Sequence, residues 1–138
     1  MDTIAVHRLL TESYWAEDIP VFIVEAAITN SLCFGVWKDS RQVGFGRWIT
    51  DRATFAYMSD VIISLEYRGQ GLGKWLVECM MDHPDIRFVR TRLLATQDAH
   101  SLYRSFGFEN LDYPERYMIR RWGSNYRDIK KDQQNGEE

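Results

Sequence analysis

Seven residues constrain this chain most: Arg68-Gly69-Gln70-Gly71-Leu72-Gly73-Lys74. They separate an extended run ending in Val61-Ile62-Ile63 from a segment where Leu72, Trp75, Leu76, Cys79 and Met80 recur at i, i+3, i+4, i+7 and i+8. The first pattern reads as a strand buried on both faces, and the second as an amphipathic helix that Pro84 ends. A helix start leaves about four backbone N–H groups unpaired at the positive end of the helix dipole, so it attracts a phosphate or pyrophosphate. Glycines let the backbone approach such a group closely. A tight turn would use the same glycines, but Arg68 and Lys74 add charge that a turn does not need. Two common phosphate loops fail on these residues. A P-loop requires glycine where Arg68 stands and serine or threonine where Trp75 stands. A dinucleotide fingerprint requires glycine or alanine at Lys74 or at Leu76, according to its starting point.

The rest of the composition narrows the class. A chain of 138 residues with 45% apolar and 27% charged residues suits one folded domain. We place that domain at residues 1–122 and read residues 123–138, which carry one tyrosine and one isoleucine among polar and charged groups, as a frayed tail. A formal charge of −3 argues against a nucleic-acid binder, which needs a basic surface. No apolar stretch approaches the roughly 20 residues of a membrane helix, and Met1-Asp2-Thr3 does not open a secretory signal, so a cytoplasmic protein off the membrane is expected. Cys33 and Cys79 exclude a disulfide framework, and no cysteine and histidine spacing matches a zinc site, so no metal is expected.

Periodicity supplies the order of elements. Residues 15–30 predict a helix, with Asp18 as N-cap and Pro20 in the first turn; the first nineteen residues are otherwise unassigned. Residues 32–38 and 42–50 predict a hairpin around Asp39-Ser40-Arg41, and residues 55–65 a third strand in mid-sheet. After the helix that starts at Gly71, residues 86–95 predict a further strand, parallel to the third through a right-handed crossover. A short helix over 99–106, capped by Asp98 and ended by Gly107, precedes a closing hairpin from 108–112 and 117–121. The fold class is α/β, a mixed sheet with antiparallel strands first and one parallel βαβ crossover inside it.

These residues resemble the GNAT superfamily of acyl-CoA-dependent N-acetyltransferases. The family signature, Arg or Gln, two residues, Gly, one residue, then Gly or Ala, is matched by Arg68, Gly71 and Gly73. Ala99, Leu102, Tyr103, Gly107 and Phe108 fall at the spacing of the family's later short helix and Gly-Phe pair. The chain departs from the common pattern at Leu65, often proline in the family, and at Thr96, often asparagine. The resemblance implies a GNAT-like fold with splayed central strands and acetyl-CoA as cosubstrate. It further implies that the amides of Gly69, Gln70, Gly71, Leu72, Gly73 and Lys74, with Arg68, hold the CoA pyrophosphate. Backbone groups of Val61, Ile62 and Ile63 would bond the pantetheine arm as an added strand would, one N–H also stabilising the oxyanion.

Transfer to an amine poses two proton problems, since an alkylammonium has a pKa of about 10 and a thiol of about 8.5. Tyr103 matches the family tyrosine that protonates the departing sulfur; it also belongs to a stripe with Ala99, Leu102 and Phe106, so a core role stands beside the catalytic one. Asp60 is the candidate base because it is charged within a strand otherwise apolar toward its end; a solvent-facing aspartate at a strand start is the competing reading. Arg104 is the candidate contact to the 3′-phosphate. Glu66 and His100 read as solvent-facing, Cys79 as core, and Cys33 as a strand residue rather than an acyl-carrying nucleophile. Trp15, Phe22, Trp37, Phe45, Arg47, Trp48 and Tyr57 come from segments that border the acceptor groove in the family. The resulting expectation is an acetyl-CoA-dependent N-acetyltransferase acting on a primary amine, of a small molecule or of a protein or peptide, by direct attack in a ternary complex. The alternative is a non-catalytic acyl-CoA-binding or sensing module. A homodimer is the default for a small oligomer.

Overall fold

The computed structural model describes residues 1–136 and divides into two compact units, Met1–Ala95 and a second that begins at Thr96. In the first unit the order is α1 (Thr3–Thr11), α2 (Val21–Thr29), β1 (Leu32–Lys38), β2 (Arg41–Thr50), β3 (Phe55–Ile63), α3 (Leu72–Asp82) and β4 (Thr91–Leu94). The four strands form one sheet in that order, antiparallel from β1 through β3 and parallel between β3 and β4. The mixed α/β sheet and the crossover through α3 therefore stand as the periodicity predicted. Among the described residues no helix is long and apolar enough to cross a membrane.

Alternation along β2 divides the core. On one face Trp48 is fully buried and its indole donates to the Met80 carbonyl of α3 at 2.9 Å. Gly46 lies on the same face, where an added Cβ would meet Met80 Sδ at 2.8 Å, so α3 packs directly on the β2 backbone. The other face carries Phe45, 1% exposed, in the layer where α1 packs on the sheet. Helix α1 begins with Asp2, whose carboxylate accepts the Ala5 amide at 3.1 Å, and buries Ala5, Val6, Leu9 and Leu10.

Several local expectations are corrected. Helix α2 starts at Val21 with Pro20 as N-cap, because Asp18 takes a left-handed φ of 63° that no helix continues. The buried stripe of α3 is Leu76, Val77 and Met80; Trp75 and Cys79 face outward, so Cys79 is not core. The strand predicted over 86–95 is only β4, since Ile86 and Val89 are buried as turn residues. Arg92 donates to their carbonyls at 2.8 and 3.0 Å.

In the second unit, α4 (His100–Arg104) has Ala99 rather than Asp98 at its N-cap, and the Thr96 hydroxyl accepts the Ala99 amide at 3.1 Å. Gly107, at φ 91°, ends it: the Phe108 amide bonds Tyr103 O and the Gly107 amide bonds Arg104 O, the paired closure that a left-handed residue permits. The closing hairpin is absent among the described residues. A 3-10 turn (Pro114–Arg116) fills the connection between the two expected strands, and neither 108–112 nor 117–121 finds a strand partner there. Beyond it Tyr117, Met118 and Ile119 are exposed. Where a frayed tail was expected, α5 (Tyr126–Gly136) forms with no buried residue, its start held by Asp128 Oδ2 accepting the Ser124 amide at 2.6 Å; Glu137 and Glu138 lie outside the described residues.

The link from β2 to β3 is organised by Asp51, whose carboxylate accepts the amides of Ala53, Thr54 and Phe55 and the Thr54 hydroxyl. The hydroxyl bond first, and then the three amides, hold this carboxyl far below the usual carboxylate range. A carboxyl whose pKa is depressed on folding contributes stability above its unfolded value of about 3.9, and that contribution is lost as pH falls from there toward the folded value. Asp51→Asn should accordingly lower stability at neutral pH and flatten its decline below about pH 4, as measured by urea unfolding across pH.

Candidate functional site

The first unit places three features along one line: the outer edge of β3 and the glycine loop that follows it, both expected from the sequence, and with them a bulge that bends the strand. Pairing of β3 with β4 ends at Met58 and Leu94, whereas pairing with β2 continues to Ile63 opposite Gly44. From Ser59 to Ile63, the side of β3 turned away from β2 therefore has no strand beside it among the described residues. This includes Val61, Ile62 and Ile63. Such an edge presents backbone donors and acceptors to an extended ligand.

The parting of the strands coincides with a bulge. Phe45 pairs with Ile62 and Arg47 with Ser59, so Gly46 alone opposes both Asp60 and Val61. Asp60 takes a left-handed φ of 57°, uncommon for a residue with a Cβ. Its carboxylate explains how the conformation is held: Oδ2 accepts Arg47 Nε at 2.7 Å and Oδ1 accepts the Trp15 indole N–H at 2.8 Å. Arg47 Nη1 also donates to Ser31 Oγ at 3.0 Å. The Arg47 and Asp60 side chains are 15% and 8% exposed, so this ion pair is largely withdrawn from water. Asp60 stands out in the sequence as a charge in an apolar strand, whereas its pairing with Arg47 appears only in the fold. Neighbouring Cys33, opposite Arg47 on β1, has its thiol pushed up by burial, which outweighs the lowering by the Arg47 charge; it is a poor thiolate nucleophile near neutral pH.

After Ile63 the chain makes a 3-10 turn (Leu65–Tyr67) and enters the loop. Gly69 and Gly71 have φ of 78° and 80°, and nothing lies within 4 Å of where a Cβ would sit, so their need is conformational. Gly73, inside α3, has ordinary backbone geometry and room for a methyl at 3.8 Å from Ile63. Backbone bonding skips this loop: the Arg68 amide bonds Leu65 O, the next amide to bond is that of Trp75, to Gly71 O, and the six between, Gly69 to Lys74, donate to no described protein acceptor. Six unpaired amides at a helix mouth, with exposed Lys74 beside them, suit an anionic diphosphate. Arg68 points back to the strand, its Nε donating to Ile63 O at 2.8 Å.

Tyr103 and Arg104 lie in the second unit. Tyr103 is on α4 with its ring edge-to-face with Phe108 at 6.0 Å, and Arg104 Nη2 donates to Asn110 Oδ1 at 3.0 Å. Of the aromatic residues expected around an acceptor, Trp48 and Phe45 are core, and Trp37 covers Gly35 at the hairpin end, where it pairs with Gln42, five positions along β2 from Arg47. Among the described residues, no group of three or more His, Cys, Asp or Glu is arranged to hold a metal.

A strand with one free edge, a bulge, and a glycine-lined helix mouth define an acyl-CoA N-acyltransferase fold. Comparison with known proteins makes the class firm. The family model described as an acetyltransferase (GNAT) domain matches residues 29–110. A candidate acetyltransferase of Gibberella zeae is 32% identical over 124 residues, covering 74% of this chain and 68% of its own. An uncharacterised N-acetyltransferase of Prochlorococcus marinus is 34% identical over 114 residues, covering 78% of this chain and 63% of its own. The crystal structure of a candidate GNAT-family acetyltransferase from Xanthomonas campestris pv. campestris is 45% identical, with a TM-score of 0.87 over 91% of this chain and 89% of that one. The chain belongs to the GNAT acetyltransferase family.

Gly71 and Gly73 should separate on substitution. Gly71→Ala forces a side chain into a left-handed residue and should cost about 1–2 kcal/mol. Gly73→Ala, in a helical position with room for the methyl, should be neutral or stabilise by up to about 1 kcal/mol. Urea unfolding of both variants measures the contrast.

Proposed function

We propose that this protein moves an acetyl group from acetyl-CoA to a primary amine by direct attack within a ternary complex. The observation that carries the reading is the run of six amides, Gly69 to Lys74, with no described protein acceptor, soon after a strand that β4 leaves unflanked from Ser59 to Ile63. The loop takes the diphosphate, and the edge takes the pantetheine amides as a neighbouring strand would. Five residues of strand span about 17 Å. A cosubstrate anchored at the loop and laid back along β3 therefore brings its thioester to the bulge at Asp60.

At the bulge the backbone N–H groups freed by the loss of β4 are donors for the oxyanion formed on attack. The acceptor nitrogen bonds to the carbonyl carbon and the carbon–sulfur bond breaks. Asp60 accepts the first ammonium proton, directly or through water, and passes it to solvent; each of its oxygens already holds one donor and retains a second lone pair. Tyr103, assigned by its match to the family's tyrosine, protonates the departing sulfur, and the proton lost by the acylated nitrogen restores the balance. Arg104 serves the cosubstrate's 3′-phosphate, and the reaction takes place in the cytoplasm.

A thiol-release assay with acetyl-CoA and a library of primary amines tests the proposal. Release above the buffer rate with at least one amine, reduced about 10²-fold or more in Tyr103→Phe, is the expected result. Acetyl-CoA binding with no release for any amine would mean a binding module instead.

A further inference from the structure

We infer that the acceptor is a small amine carrying its own carboxylate close to the nitrogen, an α-amino acid or near analogue, and that Arg47 reads the carboxylate. The inference rests on the reading above for the position of the amine, and on four observations for the rest.

The first is the hydrogen-bond account of Arg47. Nε is taken by Asp60 and Nη1 by Ser31, while Nη2 has no partner among the described residues. No buried side-chain nitrogen or oxygen of the described residues lacks a partner, so Nη2 is reached by solvent. Two of three guanidinium nitrogens are thus fixed and the third is presented outward, a rigid donor with its geometry already set.

The second is location. Arg47 pairs with Ser59, the first β3 residue beyond the reach of β4. Cross-strand partners share a face, so Ser59, and Tyr57 opposite Ile49, lie on the face that carries Arg47. Trp15 covers the same place, held by its bond to Asp60 and half-exposed, with Tyr14 edge-to-face at 5.0 Å.

The third is energetic. A largely buried ion pair returns little net stability against its desolvation, and a non-glycine residue at positive φ adds strain. Both occur at Asp60, beside the position of the reacting thioester. Asp60 is accordingly also a positioning residue that sets the guanidinium plane.

The fourth is charge and distance. Arg47 and Asp60 form a neutral pair, so the open Nη2 suits a single negative charge better than a phosphate, which the adjacent carboxylate would repel. Their 2.7 Å contact also limits the ligand: an amine at Asp60 and an anion at Arg47 must be separated by only a few bonds. A free α-amino acid meets this requirement. A peptide N-terminus and a protein lysine do not.

Calorimetric titration tests the inference with the full chain saturated with CoA. The probes are phenylalanine, methionine, glutamate and lysine, each against its own methyl ester, together with a tripeptide amide bearing a free N-terminus. At least one acid should bind about tenfold or more tightly than its ester, the gain expected of a charge-assisted hydrogen bond, and more tightly than the tripeptide amide. Arg47→Gln should bring that ratio below about twofold. No acid binding better than its ester, equal binding of the tripeptide amide, or an unchanged ratio in Arg47→Gln would each overturn the inference. Should that variant not fold, the ratio in the unaltered protein decides alone. Thiol release is measured in parallel. Acid preference without release would sink the catalytic reading and leave this one standing, whereas release from acids and esters alike would do the reverse.

Discussion

The architecture of the site depends on the parting of β3 from β4 after Met58. From Ser59 to Ile63 the strand has β2 on one side and no described strand on the other. Had β4 continued alongside, the edge groups of Ser59 to Ile63 would be spent within the sheet, and no ligand could add itself there. The bulge at Asp60 and Val61 sharpens the parting by bending β3 where the ladder to β4 ends. The bend is held by charge as much as by backbone, since Arg47 from β2 and Trp15 from the α1–α2 connection both fasten the Asp60 carboxylate.

This arrangement separates two tasks along one strand. At the C-terminal end of β3, chain geometry does the work: left-handed Gly69 and Gly71 turn the backbone so that six amides meet no described protein acceptor. At the bulge, side chains do it, through a largely buried ion pair whose desolvation leaves it little net stability to return. Stability comes from elsewhere, chiefly from the layer where Trp48, Phe45, Leu76 and Met80 are buried on the two faces of β2.

Much of the glycine-loop end was legible in the sequence because its signals are local. Glycines at 69 and 71, a helical stripe after them and an apolar strand before them lie within about twenty residues, and the motif spacing pointed to the family. The cluster at the bulge was legible only in fragments. Asp60 stood out as a charge in an apolar run, and Arg47 and Trp15 as neighbours of a groove, but their union requires the bulge, which shifts the register between β2 and β3 by one residue. Such a shift carries no mark in residue type. The misreadings elsewhere have similar causes. Cys79 shares the helical period of Leu76 and Met80 yet lies a few tens of degrees outside the buried arc. Residues 117–121 look like a strand, but a strand needs a partner, and none stands beside them among the described residues.

The central claim is that main-chain N–H groups of the glycine loop and of the β3 edge together hold the coenzyme. Titrating CoA into the ¹⁵N-labelled protein and following amide chemical shifts tests it most directly. The account predicts that the largest changes fall on Gly69 to Lys74 and on Ser59 to Ile63, with little movement along β1. Saturable binding that leaves those amides unmoved while shifting others would contradict it.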